Sequence, residues 1–286
     1  MANRIGFRDF LKKIEQDKSL QLIVDANVII SSRDKNHRDH QAINTFLNTI
    51  GDQVSDLTLF TTVTTKSEFL EYYRRKLLTE GILKIYKLNK ERIIFITDRA
   101  KIEIERQLRA RNLRQNREVQ KQEKREQLLK SQGDEDLDFD VEGFSIDANY
   151  FKDSEIKEIK KSFRARSVNK ELGWIALCEE ILLPKLHKFE KLLDELCHYL
   201  TTRDKESLKY FTKTDVEWRA ATQICGESGM GYSDAMILNM ANHTSIEHIL
   251  TLDFDMVYGG HFSTPSKTII TPTDRLKNYK SILKGI

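Results

Sequence analysis

The sequence predicts an α/β protein, a parallel sheet covered by helices, with a large charged helical insertion in its middle. Two short apolar runs far apart in the chain, Leu22–Val24 in LQLIVDANVII and His248–Leu252 in HILTLDFDM, each end in an aspartate. Segments of helical periodicity separate such runs, the alternation expected of a parallel sheet. From about Gly81 to Leu208 the character changes to Arg- and Lys-rich helical sequence.

Ile5, Phe10, Leu11 and Ile14 recur at helical spacing and predict a short amphipathic helix ahead of the first strand. The run Leu22–Val24 stops at Asp25, and apolar character resumes at Val28, Ile29 and Ile30. Such a run fits a buried parallel strand delivering a carboxylate at its C-terminal edge, where open α/β sheets place their ligands. Taken alone, Asp25 is equally explained as a turn cap. SSRDKNHRDH is a polar loop whose Arg33, Lys35 and Arg38 suit phosphate contacts in a nucleic-acid enzyme. His37 and His40 lack a third ligand and fit surface positions. Ile43, Phe46, Leu47 and Ile50 then form one face of a helix. Leu57–Thr62 alternates as a second strand, and Thr64 or Thr65 caps a helix with Glu68 in its first turn. Phe69, Tyr72, Tyr73 and Leu77 supply that helix's apolar face. Glu68 is either an acid favoured by the helix dipole or a second carboxylate aimed at the sheet edge, with Glu71 its competitor.

Ile93–Thr97 fits a strand or a buried helical turn equally well. The following run, RAKIEIERQLRARNLRQNREVQKQEKREQLLK, predicts a long helix. It is either a solvated helix of opposite-charge pairs or a basic arm for a nucleic-acid backbone, with Arg109, Arg111 and Arg114 among its contacts. The acidic run Gly133–Gly143 lacks the central Gly and terminal Glu of a calcium loop and suits a linker that shields the basic arm when no polyanion is bound. Asp153–Arg166 is amphipathic and carries a second basic cluster at Lys157, Lys160, Lys161, Arg164 and Arg166. Trp174–Leu183 and Leu186–Leu200 suggest a helical hairpin with Pro184 at the start of its second arm. Cys178, His187, Cys197 and His198 match no zinc spacing. The expected organisation is a discontinuous core, 1–80 and 209–286, carrying the insertion 81–208.

Thr214 or Asp215 caps a helix bearing Trp218, Ala221 and Ile224. Gly226, Gly229 and Gly231 have neither the preceding strand nor the Gly-Lys-Ser/Thr of a phosphate cradle, so they predict a turn. Ser233 caps the next helix, with Asp234 in its first turn and Met236, Ile237, Met240 and Ala241 buried. The strand His248–Leu252 then ends in Asp253, with Asp255 two residues beyond.

With 286 residues, 32% charged and 39% hydrophobic, the composition is that of a globular chain. No apolar run approaches a membrane span, and Met1–Asp9 is too polar for a signal peptide, so a cytoplasmic protein without a membrane partner is expected. Three widely spaced cysteines with no C-x-x-C pair predict reduced thiols. A net charge of +3 identifies no partner; its distribution matters more.

Asp25, Glu68, Asp234 and Asp253 fall in order at strand ends and helix starts, positions that a doubly wound parallel sheet brings to one edge. Carried by VDANVII, TTKSEFLEY, YSDAMILNMA and LTLDFDM, the set resembles the PIN-domain nuclease family over roughly Leu20–Tyr73 and Asp215–Pro272. Compact members have no counterpart of the middle section. The resemblance implies a three-layer α/β/α core in which these four carboxylates carry a metal directly or through water. Asp255 is a fifth candidate, and Asn27, Ser233 and Thr251 match polar positions that orient ligands or substrate.

Clustered carboxylates repel and are costly to bury unpaired, so such a set implies a cation. Oxygen ligands without His or Cys favour Mg²⁺ or Mn²⁺. The expected function is a metal-dependent endoribonuclease that hydrolyses phosphodiester bonds in RNA. The alternatives are a nucleic-acid-binding or assembly module with an inactive PIN-like core, and a DNA nuclease of related fold. The resemblance also admits a toxin with an antitoxin or other regulatory partner, and a homodimer.

Overall fold

The computed structural model describes residues 3–14, 18–132, 146–260 and 267–279. The chain divides into two compact units, one comprising Met1–Phe69 and Leu192–Ile286, the other Leu70–Lys191.

The first unit opens with strand β1 (Asn3–Gly6) and helix α1 (Phe7–Lys13). Ile5 therefore lies on a strand and not on the helix its spacing predicts. It pairs opposite Ile270 from the far end of the chain, a tertiary contact that overrides local periodicity. Strand β2 (Ser19–Val24) is buried at Leu22, Ile23 and Val24, as a central parallel strand covered on both faces must be. The second apolar stretch of LQLIVDANVII is helical: α2 (Ala26–Arg33) buries Val28, Ile29 and Ile30, so the polar loop begins only after Arg33. Helix α3 (His40–Gln53) buries Ile43, Phe46 and Ile50 at helical spacing, and Phe46 stacks on Phe7 with ring centroids 3.8 Å apart. Strand β3 (Asp56–Thr61) precedes α4 (Val63–Lys90). The α4 cap is Thr62, not Thr64 or Thr65: its Oγ1 accepts the Thr65 N–H at 3.2 Å. Glu68 consequently sits in the second turn of α4.

In the second unit, Ile93–Thr97 is neither strand nor helix but an irregular segment with one isolated parallel bridge, Phe95 to Glu171. Thr97 Oγ1 accepts the Ala100 N–H at 3.1 Å and caps α5 (Asp98–Gln132). Helices α6 (Ile146–Asn149), α7 (Asp153–Ser162) and α8 (Trp174–Leu177) follow. The acidic run Gly133–Gly143 lies outside the described residues. Ile82, Ile104, Phe151, Ile159 and Leu177 form a fully buried core for this unit. The expected helical hairpin is instead one path, in which α8 runs through a π-helical turn at Cys178–Leu182 into α9 (Leu183–Leu196). The wider turn, closed by the Leu183 N–H on the Cys178 carbonyl, lets the chain take Pro184 without reversing.

The non-glycine residues with positive φ among those described are Arg92 (60°), Asn169 (52°) and Lys170 (67°), all in the second unit. Asn tolerates this region, whereas for Arg and Lys it costs on the order of 1–2 kcal/mol each.

The first unit resumes at Leu192, within α9, and continues with the two-residue strand β4 (His198–Tyr199), where a longer helix was expected, and then α10 (Lys205–Leu208). Helix α11 (Trp218–Ser228) begins after Glu217, not at Thr214 or Asp215. It ends at Gly229, whose φ of 72° places the N–H on Cys225 O, a geometry that glycine adopts freely. Helix α12 (Tyr232–Asn242) is preceded by Gly231 at its cap, in place of Ser233. Strand β5 (His248–Leu250) stops two residues earlier than expected, and α13 (Phe254–Gly259) starts after Asp253. Strand β6 (Thr268–Thr271) and α14 (Thr273–Tyr279) complete the unit.

All six strands are parallel, in the order β1-β6-β5-β2-β3-β4. The chain leaves β2 toward β3 and β4, then returns to place β5 on the other side of β2. That reversal makes a topological switch point, and the crevice beyond the carboxyl ends of β2 and β5 is where such sheets bind ligands. Among the described residues no helix is long and apolar enough to cross a membrane.

Candidate active site

Asp25 follows β2 and Asp253 lies just beyond β5, so the switch point receives one carboxylate from each side. Asp25 caps α2, with its Oδ1 accepting the Ala26 N–H at 2.6 Å, and its backbone N–H extends the ladder to Leu250 O at 3.1 Å. Thr251 ties the two strand ends together. Its hydroxyl donates to Asp25 Oδ2 at 3.0 Å and accepts the Asp253 N–H at 2.9 Å. Asp253 in turn caps α13, its Oδ1 accepting the Asp255 N–H at 2.7 Å.

Two helices add the other carboxylates. Glu68 on α4 has the Ser233 hydroxyl nearby, which favours its ionised form. Asp234 folds back over the start of α12, and a Cβ at Gly231 would stand 3.0 Å from its Oδ2, so this cap position is best filled by glycine.

Burial pushes Asp25 up to about 7, with repulsion from Glu68 and Asp253 adding to the rise and hydrogen bonds from Thr251 and Ala26 opposing it. Burial also pushes Asp234 up to about 7, reinforced by Asp25, Asp253, Glu68 and Asp255. Glu68 is raised by burial and by Asp253, against the hydrogen bond from Ser233. Asp255, more exposed, is raised by partial burial and by Asp253. No lysine or arginine is among the causes at any of these positions, and none forms an ion pair with the five carboxylates among the described residues. A crevice of unneutralised carboxylates stores repulsion that protons or a cation relieve.

The donor set is oxygen only, which fits a hard divalent cation such as Mg²⁺ or Mn²⁺. Among the described residues no three carboxylate, histidine or cysteine side chains are gathered into a ready-made cage for an ion.

Asn27 is half-buried in the first turn of α2, where its carbonyl accepts the Ser31 hydroxyl at 2.6 Å. Arg33 is exposed in the last turn of α2. Arg109, Arg111 and Arg114 lie on α5 in the second unit. Arg109 is exposed, Arg111 donates to Asn149 O at 2.7 Å, and Arg114 pairs with Glu155, Nη2 to Oε2 at 2.8 Å. The last two thus clamp α5 to the segment leading into α7. Glu71 is engaged by Arg74, whose Nε donates to it at 2.7 Å.

Ser31, His37 and Asp39 come together by α2, but their order does not suit nucleophilic catalysis. Ser31 Oγ, the Asp39 N–H and Asp39 Oδ2 all meet His37 at Nδ1, whereas a triad needs serine and aspartate on opposite ring nitrogens. Sequence reasoning missed Arg275 on α14. It is 5% exposed, donates to Leu252 O at 2.6 Å and holds both oxygens of Asp39, at 3.1 and 3.0 Å. It therefore fixes the residue immediately before Asp253. One arginine among 47 basic residues carries no local mark of such a role.

The fold and site together define an α/β protein with a group of carboxylates at the switch point of a parallel sheet. No family model matches the chain, and no curated protein or solved structure matches it.

Proposed function

We propose that the chain is a metal-dependent endoribonuclease with a three-layer, PIN-like core, and that Asp25, Glu68, Asp234 and Asp253 hold Mg²⁺ or Mn²⁺, with Asp255 at the rim. The observation that carries this reading is the uncompensated set of carboxylates at the switch point, Asp25 buried and Glu68, Asp234 and Asp253 half-buried, with Asp25 and Asp234 each pushed up to about 7. A bound divalent cation would supply Lewis acidity toward water and the scissile phosphate.

The chain's own residues set the stage for that chemistry. Thr251 orients the Asp25 carboxylate and links it to Asp253, so the two strand ends act as one unit. Ser233 favours the ionised form of Glu68. Asn27 and Arg33, on the helix capped by Asp25, are within the same element as the site and suit contacts to substrate phosphate or sugar.

The test is incubation of the purified chain with labelled RNA and labelled DNA, with Mn²⁺ or with EDTA, beside Asp234→Asn. RNA cleavage in Mn²⁺ that EDTA and the substitution each abolish is expected; cleavage that survives either one contradicts the site. Cutting of DNA in preference to RNA would assign the related DNA-nuclease reading.

A second reading, a nucleic-acid-binding or assembly module on an inactive core, is favoured by one observation, the absence of a ready-made ion cage among the described residues. RNA binding without cleavage in either metal would establish it.

A further inference from the structure

Among the described residues, the three non-glycine residues with positive φ fall on two neighbouring segments of the second unit. Arg92 takes the left-handed position that closes α4, with the Ile93 N–H returning to Leu88 O at 2.9 Å, a place where glycine is the usual occupant. Asn169 and Lys170 are the central pair of a tight turn in which Val168 and Glu171 exchange hydrogen bonds of 3.1 and 2.9 Å. In such two-residue turns Asn-Gly is the favoured pair, and here lysine stands in the glycine position. The Phe95–Glu171 bridge and the Leu172 N–H on Phe95 O at 2.7 Å set the two segments side by side. A basic side chain therefore replaces the conformationally preferred glycine on each of two segments that the Phe95–Glu171 pairing joins. Strained backbone of this kind persists where the side chain is needed.

The surrounding surface has matching chemistry. Ile93 is 64% and Phe95 48% exposed, and Arg92, Arg166 and Lys170 are all exposed. Among the described residues no carboxylate pairs with those three cations, whereas Arg164 is held by Glu171 at 3.0 Å. An exposed aromatic ring among unpaired cations suits a polyanion with stackable bases, and a protein partner of ordinary composition would leave the cations uncompensated.

We propose that the Arg92–Phe95 segment and the Val168–Glu171 turn grip single-stranded nucleic acid, with Arg92, Arg166 and Lys170 on phosphates and Phe95 beneath a base. The inference shares with the nuclease reading only the class of ligand and requires no cleavage. It is tested by fluorescence anisotropy of labelled single-stranded RNA with the full chain in EDTA, across a salt series. EDTA silences a metal-dependent cut, so binding and cleavage can fail separately.

Arg92→Gly with Lys170→Gly should leave the melting temperature unchanged or raise it, because glycine relaxes both backbones. The same pair should weaken RNA binding roughly tenfold and lower the salt slope by about 1.4. Phe95→Ala should weaken binding about tenfold, and Phe95→Tyr should restore it. If the glycine pair folds poorly, Arg92→Asn with Lys170→Asn removes the charges with a residue that tolerates the same backbone, and the same loss is expected. Unchanged affinity and salt slope in a folded double variant, or no RNA binding by the wild-type chain at low salt, overturns the proposal. Equal loss for duplex and single strand with Phe95→Ala without effect would overturn the single-strand assignment.

Discussion

In EDTA at about pH 8, Asp25→Asn is expected to melt at a higher temperature than the wild-type chain, by an amount worth a few kcal/mol. In the folded chain Asp25 keeps its proton up to about 7, whereas in the unfolded chain it ionises near the ordinary value of 3.8. Between those values the folded state holds more protons than the unfolded state, so stability falls as pH rises and levels off above the folded value. The stabilising contribution of the protonated form is thus fully present below the unfolded value and lost as pH climbs through about 7. Asparagine removes the charge and keeps an oxygen for the Ala26 N–H. It should therefore flatten the decline and stand above the wild type at the alkaline end. Saturating Mn²⁺ should reverse the order, because an ion that binds only the folded wild-type site stabilises it by about 2–3 kcal/mol at a hundredfold excess over Kd. Thermal unfolding across pH, with and without Mn²⁺, reads all of this. An Asp25→Asn variant less stable than wild type at every pH would show that burying the Asp25 charge among its acidic neighbours does not destabilise the fold.

The second large effect belongs to Arg275. Replacing it with Met keeps much of the side-chain volume but leaves the Leu252 carbonyl without its donor and Asp39 without its bidentate partner. Breaking a buried pair from one side typically costs about 3–5 kcal/mol, since the remaining charge is left undercompensated. A fall in melting temperature of roughly 10 °C is expected. Adding Asp39→Asn should recover part of the loss, because the stranded charge is then gone. Arg38 and His37 also approach Asp39 and soften the penalty, but neither reaches Leu252 O. A change in stability of less than about 1 kcal/mol for Arg275→Met would place the anchoring of the Asp253 loop elsewhere.

Much of the carboxylate arrangement was legible in the sequence because its signals are local. An apolar run that halts at an acid marks Asp25 and Asp253 within a few residues, and both stand at the ends of neighbouring parallel strands. The parallel α/β character followed from the same alternation of runs. Boundaries and caps were less legible, since Thr62, Glu217 and Gly231 hold the starts of α4, α11 and α12 in preference to nearby residues of equal or higher capping propensity. Strands β1 and β6 have four residues each and are defined by pairing with distant chain, so their own periodicity says little. The contact of Arg275 with Asp39 spans 236 positions, and no local pattern encodes it. The same holds for Thr251: its polarity is visible in the sequence, but its bridge between Asp25 and the Asp253 backbone exists only once β2 and β5 lie side by side.

The central claim, that the crevice at the switch point takes a divalent cation, is tested most directly by titrating the metal-free chain with Mn²⁺ and following free Mn²⁺ by electron paramagnetic resonance. Saturable binding is expected, weakening as pH falls below about 7 because protons compete for Asp25 and Asp234, and lost in the Asp25→Asn, Asp234→Asn double variant. Binding of equal strength in that variant, or no saturable binding by the wild-type chain at neutral pH, would contradict it.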